Sequence, residues 1–135
     1  MRVVDASVAF KWFIPEASTN RAMALIAGDE PLCAPDIIQA EVANAIWVRL
    51  RRSPGDHTGI AREVVRALPQ MLDDIVPVGD LMLRAVEMAF ELGHPVYDCR
   101  YLALAERAET RLVTADARLF RVAQGRYARL VEMLG

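Results

Sequence analysis

Residues 2–5 of the chain read RVVD, and residues 112–116 read LVTAD. Both stretches are short apolar runs that end in an acidic residue. Further short runs lie at Leu32–Ala34, Ile75–Val78 and Leu130–Glu132, and longer stretches with the spacing of amphipathic helices separate them. Such alternation is typical of α/β proteins with a parallel sheet. The sequence therefore predicts about five parallel strands flanked by helices.

Six helices are predicted between these strands from their start and stop signals. Five of them run over about Ser18–Ala27, Asp36–Arg52, Thr58–Leu72, Asp80–Leu92 and Tyr97–Arg107, and a short sixth follows Thr114. Acidic residues near helix starts have an ordinary explanation as caps. We assign no function on this ground to Asp36, Asp56, Asp73, Asp74 and Asp80.

The composition is that of a globular protein. The 135 residues are 54% hydrophobic and 25% charged, which excludes intrinsic disorder and suits one domain over residues 1–135. The two cysteines, Cys33 and Cys99, lie far apart and have no metal or redox spacing, so both are predicted in the core. The sequence has no signal peptide and no apolar run long enough to span a membrane, so we expect a cytoplasmic protein.

Two acidic residues, Asp5 and Asp116, follow predicted strands. A carboxylate at the carboxyl end of a buried strand points to the crevice where open α/β sheets bind ligands. The hydroxyl of Thr114 lies beside Asp116 in sequence. The alternative for each carboxylate is a cap of the following helix.

Two further acidic residues lie on predicted helices. Glu41 shares a helix face, which we expect to be buried, with Ile37, Asn44, Ala45 and Val48. Asn44 there favours a polar cluster, while a buried Glu–Arg pair is the alternative. Asp98 opens a helix and lies on the side of its apolar stripe, with a first-turn cap as the alternative.

These four carboxylates come together if the first and fourth strands are neighbours in the sheet. Like charges at close range raise one another's pKa, so a cluster of three or four needs a cation to stay ionised. Oxygen-only ligands select Mg²⁺ or Mn²⁺. A site of this kind suits phosphoryl transfer, in which the metal activates a water and neutralises charge on the phosphate.

Four segments then carry a resemblance to a known family. Residues 4–8 (VDASV), 41–45 (EVANA), 96–105 (VYDCRYLALA) and 112–116 (LVTAD) resemble, in order, the four motifs of the PIN domain. They are particularly similar to those of VapC-type toxins from bacterial toxin–antitoxin pairs. The resemblance implies a three-layer fold, Mg²⁺- or Mn²⁺-dependent endoribonuclease activity, a homodimer and a VapB-like antitoxin as partner.

The resemblance also assigns site residues. It implies that Asp5, Glu41, Asp98 and Asp116 are catalytic and hold the metal, Glu41 directly or through a water. Thr114 and Ser7 would support them with hydroxyl groups, and Asn44 is the further candidate from the helix pattern. Cys99 departs from the motif, in which alanine is common.

Three alternative functional interpretations of the sequence stay open at this point. A haloacid-dehalogenase-like phosphatase also begins with an Asp after its first strand, but it needs a second Asp where Ser7 stands. A receiver domain needs a lysine after its fifth strand, and Lys11 is the only lysine. An inactive PIN fold that serves only as a binding module is the third. His57 and His94 both fall in turn-like segments, where a surface or turn histidine is expected rather than a catalytic one.

Overall fold

The strands form one sheet in which all neighbouring pairs are parallel. The computed structural model describes residues 1–135, and its strands lie side by side in the order β3-β2-β1-β4-β5. Their bounds are β1 (Arg2–Val4), β2 (Leu32–Pro35), β3 (Asp74–Val76), β4 (Leu112–Thr114) and β5 (Val131–Met133). The predicted five-stranded parallel sheet is confirmed.

Seven α-helices connect the strands. They are α1 (Ala6–Phe10), α2 (Thr19–Ala27), α3 (Ile38–Leu50), α4 (Thr58–Met71), α5 (Met82–Leu92), α6 (Val96–Arg107) and α7 (Ala117–Tyr127). Short 3-10 helices lie at Val78–Leu81 and Ala128–Leu130. Six α-helices match predicted ones. Helix α1 is absent from the prediction because five residues make little more than one turn, too few to show a helical period.

The strand order creates a switch point between β1 and β4. The chain moves outward from β1 to β2 and β3, and then returns across the sheet to β4 and β5. Because parallel crossovers are right-handed, α1–α4 cover one face and α5–α7 the other. Open parallel sheets bind ligands at the carboxyl ends of their strands at such a point. The residues that follow β1 and β4 therefore occupy the expected site.

Helix α6 is the central helix of the core. All of its residues from Cys99 to Ala105 are buried, because it packs against α5 and also against β1 and β2. Cys33 and Cys99 are both buried and unpaired, as predicted. No helix combines the length and the apolar character that a membrane crossing requires.

Two of the predicted helix caps are wrong. Oδ1 of Asp36 accepts a hydrogen bond from the backbone N–H of Val78 (3.0 Å), so this side chain ties β2 to the segment after β3. Asp80 lies inside the first 3-10 helix, and α5 begins without a side-chain cap. A tertiary hydrogen bond thus engages Asp36, whereas Asp80 belongs to a 3-10 helix that precedes α5. Asp56 does accept from the N–H of Thr58 (3.0 Å), as expected of a cap.

Candidate active site at the carboxyl edge of the sheet

Asp5 is the most buried carboxylate of the site. It directly follows β1 and is only 5% exposed. Its Oδ1 accepts from the hydroxyl of Ser7 (2.5 Å) and the backbone N–H of Val8 (3.2 Å), and its Oδ2 accepts from the hydroxyl of Thr114. Asp5 thus caps α1 and also lies at the switch point. The helix-cap interpretation and the ligand-crevice interpretation are therefore compatible.

The environment of Asp5 disfavours its charge. Burial raises the pKa of Asp5 from 3.8 to about 6, and the negative charge of Asp98 acts in the same direction. Hydrogen bonds from Ser7, Thr114 and Val8 lower the pKa, but they offset burial only in part. Above this pKa the folded protein therefore holds a buried negative charge that a cation would stabilise.

Thr114 links the acidic residues at the ends of β1 and β4. Its hydroxyl donates to Asp5 and accepts from the backbone N–H of Asp116 (3.0 Å). Oδ1 of Asp116 accepts from the N–H groups of Arg118 (2.9 Å) and Leu119 (3.2 Å) at the start of α7. Asp116 is therefore a helix cap at the same edge of the sheet as Asp5.

Ser7 joins α1 to the segment after β4. Its hydroxyl donates to Asp5 and accepts from the backbone N–H of Ala115 (2.9 Å). Ser7 and Thr114 thus hold Asp5 from two sides, and the two hydroxyl oxygens are 3.4 Å apart. Both hydroxyl groups that the sequence singled out therefore donate hydrogen bonds to Asp5.

Glu41 reaches the site from α3 and is held by α6. The hydroxyl of Tyr101 donates to Oε1 of Glu41 (2.6 Å), and the guanidinium of Arg100 lies 3.3 Å from the same oxygen. This is the Glu–Arg pair that the sequence left open as an alternative. Burial and the negative charges of Glu41 and Asp5 raise the pKa of Tyr101 strongly, so Tyr101 remains a donor.

The face of α3 that carries Glu41 is less buried than expected. Its neighbours Asn44 and Val48 are exposed, and the buried residues of α3 are Ile38, Val42 and Ile46. Apolar residues lie on nearly all sides of this helix, so the sequence pattern could not select the core face. Asn44 makes no side-chain hydrogen bond to the carboxylates.

Asp98 lies in the first turn of α6. Its Oδ2 is 2.6 Å from Nε2 of His94, and its side chain is 34% exposed. His94 lies in the predicted turn, between α5 and α6, but it is not at the surface, because it is only 6% exposed. Cys99, the next residue, has its pKa raised to about 11 by burial and by the charge of Asp98, so its thiol stays protonated.

The donor chemistry of the site fits a divalent cation. Glu41, Asp98 and Asp116 each have one oxygen in hydrogen bonds and one without: Oε2, Oδ1 and Oδ2, respectively. No buried side-chain polar atom lacks a partner, so these free oxygens face solvent. No three Asp, Glu, His or Cys side chains converge closely enough to form a ready-made metal site. The carboxylates are oriented by hydrogen bonds without being in coordination positions.

An open cleft of about 470 Å³ lies beside these residues, between α1 and α3. Ser7 lines it, together with the cationic side chains of Lys11 and Arg49. Glu16 contacts both cations, at 2.9 Å from Nζ of Lys11 and 3.3 Å from Arg49. Lys11 is buried and Glu16 also lines the cleft, so Arg49, which is half-exposed, is the cation of this lining that solvent reaches most.

Comparison with known proteins identifies the family. The PIN domain model matches residues 2–125, so the chain belongs to the PIN-domain family. Ribonuclease VapC9 of Mycobacterium tuberculosis is 34% identical over 121 residues, which are 88% of this chain and 88% of that protein. Ribonuclease VapC3 of Pyrobaculum aerophilum is 29% identical over 126 residues, 87% of this chain and 90% of that protein.

A solved structure agrees on the fold. A chain of a toxin–antitoxin complex from Klebsiella pneumoniae superposes with a TM-score of 0.70 at 16% identity, and the match covers 98% of this chain and 96% of that one. Membership of the PIN family removes the phosphatase and receiver-domain readings. The particular relatives are VapC ribonucleases, as the four motifs indicated.

The raised pKa of Asp5 predicts that replacing it stabilises the protein at neutral pH. Below about pH 4 the carboxyl is protonated in both the folded and the unfolded chain, so it adds no pH-dependent penalty. Stability is then lost as the pH rises from about 4 through 6, because the unfolded chain releases this proton first. Asp5→Asn is expected to unfold with a free energy up to about 3 kcal/mol larger than wild type at pH 8.

Urea denaturation in chelator at pH 4.5 and pH 8 measures this difference. Asp29→Asn is the control, since Asp29 is exposed and lies at the opposite edge of the sheet, before β2. Equal stability of wild type and Asp5→Asn at pH 8 would contradict the expected charge penalty.

Proposed function

We propose that this protein is a metal-dependent endoribonuclease that acts as the toxin of a toxin–antitoxin pair. The observation that carries the proposal is the buried Asp5 at the switch point, in electrostatic contact with Asp98 and linked through Thr114 to Asp116. A carboxylate as buried as Asp5 is costly to keep ionised unless a cation compensates its charge. The names of the VapC relatives supply the substrate class, RNA.

Mg²⁺ is the proposed cofactor, and Mn²⁺ is a plausible substitute on the same oxygen ligands. Asp5, Asp98 and Asp116 would hold it, and Glu41 would contribute its free Oε2 directly or through a water. A divalent ion held by these residues would supply a water of lowered pKa and positive charge beside the phosphate. No covalent intermediate with the protein is needed.

The other residues of the site orient these ligands. Thr114 and Ser7 hold Asp5, so its carboxylate has little freedom to rotate. Tyr101 and Arg100 hold Glu41, and Arg100 also neutralises its charge. Fixed ligands lose less conformational entropy when they bind an ion. The site is thus oriented by side chains that do not themselves touch the substrate.

The cleft between α1 and α3 is the proposed RNA path. The half-exposed Arg49 lines it, and Arg51 and Arg52 follow Arg49 at the end of α3. Arginine binds phosphate through two parallel hydrogen bonds. An RNA substrate also implies that the protein acts in the cytoplasm.

Cleavage of RNA with Mg²⁺ tests the proposed activity. Wild type is expected to cut a structured RNA, and Asp5→Asn and Asp98→Asn to give no detectable cleavage, because each removes a carboxylate from the metal site. Asp29→Asn should cut as wild type does. Chelation of the metal should abolish cleavage by wild type.

A gel-shift assay on the same RNA separates catalysis from binding. Asp5→Asn should still bind RNA if it has lost only the chemistry. Wild type that binds RNA in Mg²⁺ or Mn²⁺ and leaves it intact would favour the reading of this fold as a binding module.

We propose an antitoxin partner on the groove between α3 and α4. The toxin–antitoxin complex that shares this fold supports a partner of that class. The groove has a volume of about 290 Å³ and is lined by Ile46, Trp47 and Leu50 among others. Trp47 is 58% exposed, and its ring lies 5.0 Å from the guanidinium carbon of Arg51. Apolar anchors beside arginine favour an acidic, amphipathic segment.

Truncation of Trp47 tests the groove. Trp47→Ala is expected to weaken binding of the small protein encoded next to this gene by about 2 kcal/mol or more, since exposed tryptophans often anchor interfaces. Titration calorimetry measures the affinity. Met23→Ala on α2, where Met23 is 43% exposed, is the control. A complex that is indifferent to Trp47→Ala would place the antitoxin on another surface.

A second copy of the chain is the proposed occupant of the outer face of α5. Leu83, Val86 and Phe90 lie on one side of this helix, and Leu83 and Phe90 are 80% and 87% exposed. Burial of such side chains stabilises an interface by roughly 1.5–3 kcal/mol each. This face suits the homodimer that the family resemblance implies.

A charge at Phe90 is expected to dissociate the dimer. Phe90→Glu should sediment as a monomer at concentrations where wild type is dimeric, because a buried, unpaired carboxylate costs several kcal/mol. Val65→Glu, at an exposed apolar position of α4, should leave the dimer intact. Dimeric Phe90→Glu would show that α5 is not the interface.

A further inference from the structure

His94 is placed by the turn between α5 and α6. Helix α5 ends at Gly93, whose left-handed backbone (φ 61°) turns the chain, and Pro95 then precedes α6. The backbone N–H of His94 donates to the carbonyl of Ala89 (3.2 Å). The side chain of His94 is 3% exposed. Its position is therefore fixed by the backbone on both sides and by burial.

The contact between His94 and Asp98 has a defined direction. An ionised carboxylate only accepts hydrogen bonds, so Nε2 of His94 carries the hydrogen that lies between them. Nε2 is 2.6 Å from Oδ2 of Asp98, and this is the only hydrogen bond that the carboxylate receives. Oδ1 is left free and accessible to solvent.

The other three carboxylates of the site are oriented in different ways. Ser7 and Thr114 hold Asp5, two backbone N–H groups of α7 hold Asp116, and Tyr101 with Arg100 holds Glu41. Asp98 lacks such neighbours, and without His94 its side chain would rotate freely in the first turn of α6. His94 is therefore the residue that orients the fourth carboxylate, Asp98.

We propose that His94 is a positioning residue that presents Oδ1 of Asp98 to the divalent cation. This inference rests on the proposed metal site and goes beyond it, because the family motifs do not include this histidine. Groups that hydrogen-bond a metal ligand typically change metal affinity by about 10–100-fold when they are lost. The donor atom at the Nε2 position is what matters here, not the imidazole itself.

A pair of amide substitutions tests the position of that donor. The amide nitrogen of His94→Gln lies near the place of Nε2, whereas that of His94→Asn is one bond shorter and cannot reach Asp98. We expect His94→Gln to bind Mn²⁺ with an affinity close to that of wild type. His94→Asn should bind about 10–100-fold more weakly. Calorimetry of the full chain, freed of metal beforehand, measures both affinities without reference to cleavage.

Two further variants separate positioning from folding. His94→Leu fills the buried space without a donor and should show the same loss as His94→Asn. His57→Asn replaces the half-buried histidine before α4, whose Nε2 lies 3.1 Å from the carbonyl oxygen of Ser53 and which contacts none of the four carboxylates, and should bind as wild type. Melting temperatures in chelator report the fold of each variant.

Each result bears on the inference. Equal Mn²⁺ affinity of wild type and a folded His94→Asn or His94→Leu overturns it and leaves the proposed function standing. Loss of the fold in both variants would also overturn it, since His94 would then be a structural residue. Wild type that binds no Mn²⁺ would overturn the metal site and this inference together.

Discussion

The hydrogen bond between Thr114 and Asp5 joins the two strands on which the site depends. Both β1 and β4 are only three residues long, and the Asp5 carboxylate lies buried where they end. That charge is unfavourable in the core, and hydroxyl and backbone donors offset only part of the cost. The hydrogen bond that links the ends of β1 and β4 therefore involves a buried carboxylate that a positive charge would stabilise. The hydrogen bond between Thr114 and Asp5 therefore contributes both to the fold and to the site.

The other three carboxylates, Glu41, Asp98 and Asp116, lie on different elements but are held in the same way. Each has one oxygen tied by donors and the other free. The tied oxygens fix the side chains, and the free oxygens face solvent. Glu41 differs from the rest because Arg100 compensates its charge within the protein. Among the four carboxylates, Glu41 is the one that an arginine side chain contacts.

The strands and most helices were predictable because each depends on a local pattern of apolar residues. Helix α1 was not, since one turn shows no period, and the buried face of α3 was not, since its apolar residues surround the helix. The link between Asp5 and Thr114 spans 109 residues and follows only from the strand order. Right-handed crossovers constrain the order of the strands, but the spacing of apolar residues in the sequence does not reveal it. His94 was missed because a turn histidine is ordinarily exposed, although its four-residue separation from Asp98 was a usable signal.

Net charge is a poor guide to the partner of a protein whose acids are concentrated at one site. The chain has 18 acidic and 16 basic side chains, a balance that argues against a nucleic-acid ligand at first sight. Four of those acids lie near the carboxyl edge of the sheet, so the rest of the molecule carries more basic than acidic groups. On the proposed path, a polyanion would meet the half-exposed Arg49 before it reaches the buried Asp5. With a divalent ion among the carboxylates, the inner end of the cleft would attract phosphate as well, and the acidity of the chain becomes part of its capacity to act on RNA.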